Sequence, residues 1–262
     1  HFAASLASAH RSIASNMPPA RIFSPETQAI VYNFKGNPTQ RMLDFDFTVG
    51  RKTRSIAALV THGKTGFHRC FWGSKEIQIP IYPSLEAAAG AAPQADVLIT
   101  FASFRKAYAS CMEGLDTDTI RTVVVIAEGI PESQARKMVA KAKLVDKVII
   151  GPATVGGLQA GAFKIGNTGG EIGMMVDAKL HRPGSVGFVS KSGGLSNEMY
   201  MMLAQTTDGL YEGIAIGGDA FPGSDLMDHL LRYEQIEEIK MCVVLGEVGG
   251  TIEYAIIDAI KA

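Results

Sequence analysis

An apolar run, a glycine-rich turn and an amphipathic helix follow one another in Val186-Gly-Phe-Val-Ser-Lys-Ser-Gly-Gly-Leu-Ser-Asn-Glu198, and no other stretch constrains the chain as much. Such a turn leaves the first backbone N–H groups of the helix without ladder partners. With the helix dipole, which places roughly half a positive charge at that end, they form a seat for a phosphate or carboxylate. Ser192, Gly193, Gly194 and Ser196 carry the seat. Taken alone, a Gly-Gly turn with a serine N-cap is also what an ordinary strand-to-helix connection looks like. Its company shifts the balance: Ile150-Gly-Pro-Ala-Thr-Val-Gly-Gly157, Ile165-Gly-Asn-Thr-Gly-Gly170, Ile216-Gly-Gly-Asp-Ala-Phe-Pro-Gly-Ser224 and Leu245-Gly-Glu-Val-Gly-Gly250 repeat the pattern beside apolar runs. Glycine repeated at strand ends marks backbone that ligands approach closely.

Strands read at 29–33, 56–60, 97–101, 122–127, 148–150, 185–190, 213–216 and 241–245, and helices at 84–91, 104–112, 132–144, 195–205, 224–233 and 251–260. Alternation of the two, with strands apolar throughout, predicts an α/β protein of parallel sheets covered on both faces. At ~150 residues per domain, 262 residues give two doubly wound units with no single large core in common. The glycine-rich, strand-poor stretch 153–183 is the expected connection. An apolar fraction of 47% suffices for both units. No apolar run approaches the ~20 residues of a membrane span, so no membrane partner is expected.

A net charge of −1 argues against nucleic acid as the main partner. Arg51, Lys52, Arg54, Lys64, Arg69 and Lys75 nevertheless cluster in the first unit, either as solvated surface or as a seat for one polyphosphate ligand. The 3 cysteines, Cys70, Cys111 and Cys242, are odd in number and far apart, which fits reduced thiols in the cytoplasm and gives no metal-ligand spacing.

Ligands of parallel sheets gather beyond the carboxyl ends of the strands. Phe101-Ala-Ser-Phe-Arg105, Ile126-Ala-Glu-Gly-Ile-Pro131 and Gly151-Pro-Ala-Thr154 therefore share one rim. An aromatic, a serine, an arginine and a helix start suit an adenine nucleotide or its pantetheine arm, with Arg105 pairing a phosphate. No G-x-G-x-x-G follows the first strand, so a nicotinamide cofactor has no support. Glu128 emerges at that rim. Either it is a functional carboxylate, its charge partly desolvated or paired, or it caps the helix opening at Pro131. Glu247, in Leu245-Gly-Glu-Val-Gly-Gly250, poses the same choice in the second unit.

These motifs carry a resemblance. Val189-Ser-Lys-Ser-Gly-Gly194, Gly217-Gly-Asp-Ala-Phe-Pro-Gly-Ser224 and Gly246-Glu-Val-Gly-Gly250 resemble the α-chain motifs of succinyl-CoA synthetases. Met42-Leu-Asp-Phe-Asp46, Phe101-Ala-Ser-Phe-Arg105, Ile126-Ala-Glu-Gly-Ile-Pro-Glu132, Ile150-Gly-Pro-Ala-Thr-Val-Gly-Gly157, Phe163-Lys-Ile-Gly-Asn-Thr-Gly-Gly170 and Thr206-Thr-Asp-Gly209 are more similar to the ATP-citrate lyase family, over roughly residues 22–262. The likeness is to the region at the N-terminus of one chain in two-chain forms. It implies a Rossmann-like CoA-binding domain over 21–178, including the connecting segment, and a flavodoxin-like CoA-ligase domain over 179–262.

The resemblance also implies a reaction. Citrate, CoA and ATP give acetyl-CoA, oxaloacetate, ADP and phosphate by way of phosphohistidine, citryl phosphate and citryl-CoA. Ser192, Gly193 and Gly194 match the family's phosphate-facing helix start. Glu128 matches a glutamate that assists citryl-CoA formation, and Glu247 the one that orients the histidine. Phe101, Ser103, Arg105, Ile126, Ala127 and Lys64 match CoA-contacting positions. Asn197 departs from the tyrosine of succinyl-CoA synthetases, favouring the citrate-using branch. A Gly-His-Ala-Gly loop bearing the phosphorylated histidine does not occur in the sequence, and His229, on an amphipathic helix, is read as structural.

ATP and Mg are accordingly assigned to an ATP-grasp-type partner chain or to sequence not in hand, within a larger oligomer. An α-type subunit of a succinyl-CoA or citryl-CoA synthetase is the alternative, and a non-catalytic CoA-sensing scaffold a third reading. Residues 1–20, basic and Ala/Ser-rich with Glu26 the first acid, are set aside as a disordered extension. An organelle-targeting segment, a vector remnant and translated upstream sequence all fit it. The helix pattern near residue 262 stops without a glycine cap or a following strand, so a longer natural protein is expected.

Overall fold

A computed structural model describes residues 19–261, with side chains as far as Ala259; residues 1–18 and 262, and most of the anticipated extension, lie outside the described residues. Short runs of branched apolar residues start the first sheet. They are β1 (Ala29–Tyr32), β2 (Ile56–Val60), β3 (Gly66–Trp72), β4 (Lys75–Tyr82), β5 (Val97–Thr100), β6 (Thr122–Val125) and β7 (Val148–Ile150), in the spatial order β3-β4-β2-β1-β5-β6-β7. All neighbours are parallel except β3, which runs antiparallel to β4 at the edge. Helices α1 (Gly36–Thr48), α2 (Leu85–Ala91), α3 (Phe104–Asp116) and α4 (Glu132–Leu144) supply the crossovers. Counted over the parallel strands alone, the order is that of a dinucleotide-binding sheet, with its switch point between β1 and β5.

The second sheet has the order β12-β10-β11-β8-β9, from β8 (Gly156–Gln159), β9 (Phe163–Lys164), β10 (Val186–Ser190), β11 (Leu210–Ala215) and β12 (Met241–Leu245). Around it lie α5 (Ile172–Asp177), α6 (Gly193–Thr206), α7 (Leu226–Tyr233) and α8 (Ile252–Lys261). Its parallel trio β11-β10-β12 has the middle-first order of flavodoxin-like sheets, while β8 and β9 add an antiparallel edge. The stretch 153–183 is therefore not strand-poor: it gives this sheet two strands and α5. Glycine hides the first of them, because a Cβ on Gly157 would come 2.6 Å from the Gly213 carbonyl oxygen of the neighbouring strand.

A second expectation also fails. The two units share one apolar layer, since Ala29, Val31, Ile99, Val124 and Ile150 of the first sheet belong to the same buried cluster as Phe163, Val189, Ile214, Ile216 and Leu230. The opposite face of the first sheet, Ile30, Leu98 and Val123 among it, packs on α2, α3 and α4, and the opposite face of the second packs on α5 and α6. Period-two alternation within β1 thus feeds two separate cores.

Polar groups lock this arrangement. Arg51 is buried, lies 3.4 Å from Asp46 and donates to the carbonyls of Thr27 and Ala162, tying the two units together. It is a structural residue, not part of a polyphosphate seat. Arg54 donates to the Gln78 carbonyl, and Arg69 lies 3.9 Å from Glu76 across the β3–β4 pair. Burial pushes the thiols of Cys70 and Cys242 up to about 11 and that of Cys111 to about 12, which keeps them protonated and inert at neutral pH.

Candidate functional site

The C-terminal ends of strands from both sheets meet. Gly217 has φ +94°, and a Cβ there would lie 2.0 Å from the Pro152 carbonyl oxygen, so the loop after β11 touches the loop after β7 backbone to backbone. The Gly223 N–H donates to the Gly151 carbonyl at 2.8 Å, the Ser224 hydroxyl to the Ile149 carbonyl at 2.8 Å, and Thr154 Oγ1 to the Ala215 carbonyl. Between these stitched loops opens a cleft of about 490 Å³ lined by Glu128, Gly129, Ala153, Lys191, Ser192, Gly193, Gly218, Asp219 and Glu247. Five strand ends, those of β6, β7, β10, β11 and β12, contribute to it.

Four of the residues anticipated from sequence come together here. Ser192 is the N-cap of α6, its hydroxyl accepting from the Leu195 N–H at 3.3 Å. Its own N–H donates to Ser190 Oγ at 2.9 Å, and Ser196 Oγ donates to the Ser192 carbonyl at 2.6 Å, so the cap is held from both sides. Gly193 and Gly194 then present N–H groups that precede the first ladder bond. A Cβ on Gly193 would meet Val155 at 2.7 Å, so glycine lets the helix start approach the loop after β7. Gly194 sits one residue further on and is exposed.

Glu128 is exposed at the mouth of the cleft rather than desolvated. It does not cap α4, whose N-cap is Pro131 and whose first-turn acid is Glu132. Neither of the two sequence readings describes it as it stands: it is an exposed carboxylate lining the cleft. Glu247 lies in the turn after β12; its N–H donates to Glu253 Oε1 at 3.0 Å and its carboxylate receives Lys191 Nζ at 2.5 Å. Lys191, Asp219, Gly129, Ala153 and Gly218 were not singled out from sequence. Their signal was present, since Lys191 stands between a strand end and the Gly-Gly turn and Asp219 within a second glycine motif.

The remaining anticipated residues follow the rim of the first sheet. The Ile126 N–H donates to the Thr100 carbonyl at 3.2 Å, and the Ala127 carbonyl accepts from the Ala153 N–H at 2.9 Å, which places both beside Glu128. The Phe101 carbonyl accepts from Asn33 Nδ2 at 3.1 Å across the β1–β5 switch point, and its ring lies against Gly166. Ser103 is the exposed N-cap of α3 and makes no capping bond, so its hydroxyl is not committed to the helix. Arg105 is exposed, its guanidinium 5.3 Å from the Phe104 ring, and Lys64 is exposed in the loop after β2. No contact places Arg105 or Lys64 in the cleft itself.

His229 is wholly buried. Arg232 Nε donates to its Nδ1 at 2.9 Å, and its Nε2 lies 2.9 Å from Ser224 Oγ, so the ring is neutral with the proton on Nε2. Burial first, then the adjacent Arg232 charge, lowers its pKa well below the usual value. Arg232 in turn pairs with the buried Glu212. This is core scaffolding beneath the cleft, as the helical spacing indicated.

A family model described as CoA-ligase matches residues 189–262. The chain is 58% identical over 245 residues to an ATP-citrate synthase beta chain of Oryza sativa, covering 94% of this chain and 40% of the rice protein. It is 52% identical over 242 residues to the human ATP-citrate synthase, covering 92% of this chain and 22% of that protein. Among solved structures, an ATP citrate lyase from Methanothrix soehngenii in complex with citrate and coenzyme A superposes with a TM-score of 0.90 at 53% identity, over 92% of this chain and 39% of that one. The chain spans about two fifths or less of each of these relatives.

Proposed function

We propose that this chain, homologous over nearly all of its length to one part of the ATP-citrate synthases, is the portion of such an enzyme where a phosphoryl group, citrate and CoA meet. The observation that carries the reading is the convergence of Glu128, Ser192, Gly193 and Glu247, from two different sheets, on one cleft. Related structures hold citrate, CoA and (3S)-citryl-CoA.

In this reading the chain handles two consecutive transfers. A phosphoryl group leaves the nitrogen of a phosphorylated histidine, supplied by another segment or chain, for a carboxylate oxygen of citrate. One P–N bond breaks and one P–O bond forms. The imidazole leaves neutral if its second nitrogen carries a proton, which the Glu247 carboxylate can hold by hydrogen bond. The N–H groups of Gly193 and Gly194 donate to the phosphoryl oxygens, where the helix dipole adds about 0.3–1 kcal/mol, or up to ~2 in partly buried geometry. The CoA sulfur then attacks the acyl carbon, forming the thioester as the C–O bond to phosphate breaks and phosphate leaves. Glu128, adjoining Ile126 and Ala127 on the CoA rim, is the carboxylate placed to take the thiol proton.

CoA lies along the switch point of the first sheet. Phe101 stacks on the adenine or packs against the pantetheine arm, Ser103 and the start of α3 face phosphate, and Arg105 and Lys64 supply cations from the same rim. ATP and Mg are bound by an ATP-grasp-type partner, and cleavage of citryl-CoA to acetyl-CoA and oxaloacetate takes place in a further domain, within a cytoplasmic oligomer. The test is the full-length protein supplied with ATP, citrate and CoA. Acetyl-CoA and oxaloacetate are expected, and Glu128→Gln should leave phosphoenzyme formation intact while lowering thioester formation by about 10²–10⁴-fold, the range of lost general-base catalysis. A thioester product without oxaloacetate points to the synthetase alternative, and near-normal turnover of Glu128→Gln removes that residue from the chemistry.

A further inference from the structure

Among the described residues lining the cleft, Lys191 is the single cation, set against the carboxylates of Glu128, Asp219 and Glu247. It ends β10 one step beyond Ser190, and its main-chain N–H donates to the Leu245 carbonyl at 3.0 Å, continuing the β10–β12 ladder. Its side chain is 7% exposed, whereas that of Glu247, to which its Nζ donates at 2.5 Å, is 45% exposed. Among the described residues the turn carrying Glu247 is otherwise held through its backbone, by Glu247 N–H to Glu253 Oε1 and Gly250 N–H to the Glu247 carbonyl, both at 3.0 Å. The direction of the Glu247 carboxylate is therefore set by Lys191.

We infer that Lys191 is a positioning residue for the phosphoryl transfer proposed above, and the inference rests on that reading. It fixes Glu247 toward the incoming histidine and offers its remaining donors to the phosphoryl oxygens. An ammonium has three donors, of which the contact with Glu247 uses one. Lys191 lines the same cleft as Ser192 and Gly193 at the start of α6, so its two remaining donors serve the same space as that helix end. A phosphoryl dianion entering a cleft lined by carboxylates needs such a cation, because the partial charge of one helix end is smaller than any one of the opposing charges. A pair that served only to join β10 to β12 would have no reason to keep its carboxylate half exposed at a cleft.

The experiment uses the full-length protein labelled from [γ-32P]ATP, with rapid quenching after citrate and CoA are added. Lys191→Met, which keeps the apolar stem, should slow loss of the acid-labile phosphoryl group by about a hundredfold, comparable to removing an oxyanion-type donor. Lys191→Arg should recover to within about tenfold of the native rate, since it restores the charge with a different head geometry. Adding Glu247→Gln to Lys191→Met should cost little more than the slower single change, because the two act as one unit. CoA affinity measured by calorimetry should stay within about twofold throughout, a readout that general damage to the fold would move.

Transfer by Lys191→Met within about threefold of native, or full additivity with Glu247→Gln, overturns the inference. If Lys191→Met loses its melting transition, Lys191→Gln replaces it with the same expected loss and the same refuting result. A native protein that forms no acid-labile phosphoenzyme overturns the functional reading as well. That outcome is distinct from a native protein that phosphorylates normally beside a Lys191→Met variant that transfers normally.

Discussion

Lys164 closes β9 with no exposed surface, its ammonium donating to the Gly166 carbonyl at 2.7 Å and more distantly to the Arg41 carbonyl at 3.5 Å. Burial, and secondarily the charge of Arg41, lowers its pKa from 10.5 to about 7, although Asp44 and Asp46 act in the opposite direction. Between those two values the unfolded chain holds a proton that the folded chain has released, so stability rises with pH across the window. The full penalty is present below about 7 and is gone above 10.5. At pH 8 the penalty is about 3 kcal/mol, at 1.36 kcal/mol for each tenfold difference in proton affinity. Lys164→Met removes it at the cost of leaving the Gly166 carbonyl unpaired, about 1–2 kcal/mol. The variant should be more stable than the native protein by about 1–2 kcal/mol at pH 8, with the gap widening toward pH 7 by about 1.4 kcal/mol per pH unit and reversing near pH 9. Urea midpoints at pH 7, 8 and 9 measure this. Parallel pH profiles for the two proteins would refute the reasoning.

Gly217→Ala should destabilise the protein by at least about 1–3 kcal/mol in thermal melts, from a strained backbone with its Cβ driven into the Pro152 carbonyl, and should slow phosphoryl transfer by moving Gly218 and Asp219. Arg232→Ala should cost about 3–5 kcal/mol in denaturant titrations because Glu212 keeps a buried charge without a partner; a loss under 1 kcal/mol would contradict that account. His229 should show no imidazole titration by NMR between pH 5 and 8, and a midpoint near 6.5 would show that its burial and its Arg232 neighbour do not hold it neutral. Arg105→Ala should weaken CoA binding by about tenfold in calorimetry, with a smaller loss for 3′-dephospho-CoA, and an unchanged affinity would take Arg105 out of the phosphate contacts.

Most of the parallel strands were legible because their apolar runs are continuous and, β12 apart, largely buried on both faces, and the glycine turns marked loops that line the cleft. The pairs β3–β4 and β8–β9 were not, including β4, which also runs parallel to β2. β3 alternates poorly, with Phe67 and Phe71 exposed, and β4 carries Pro80 at a position that reads as a breaker. α1 opens Gly36-Asn-Pro38, which resembles a turn, yet Pro38 fits the first turn of a helix, and Met42, Leu43 and Phe45 form a buried stripe. The site divided along similar lines. Glu128, Ser192, Gly193 and Glu247 were singled out through their motifs, but their convergence on one cleft depends on a contact between two sheets, at Gly217 and Pro152, that no local pattern encodes. Arg51 was misread because charge clustering in sequence says nothing about burial, and Asp46, the partner that accounts for it, lies five residues before it.

The central claim is that the cleft between the two sheets receives the phosphoryl group at the start of α6. The most direct test is a crystal structure of the full-length protein trapped after phosphorylation by ATP. The account predicts phosphoryl oxygens within about 3 Å of the N–H groups of Gly193 and Gly194, with Glu247 turned toward the ring that bears the phosphorus. A phosphorylated residue whose oxygens lie away from that helix start, with the cleft filled by solvent, would contradict it.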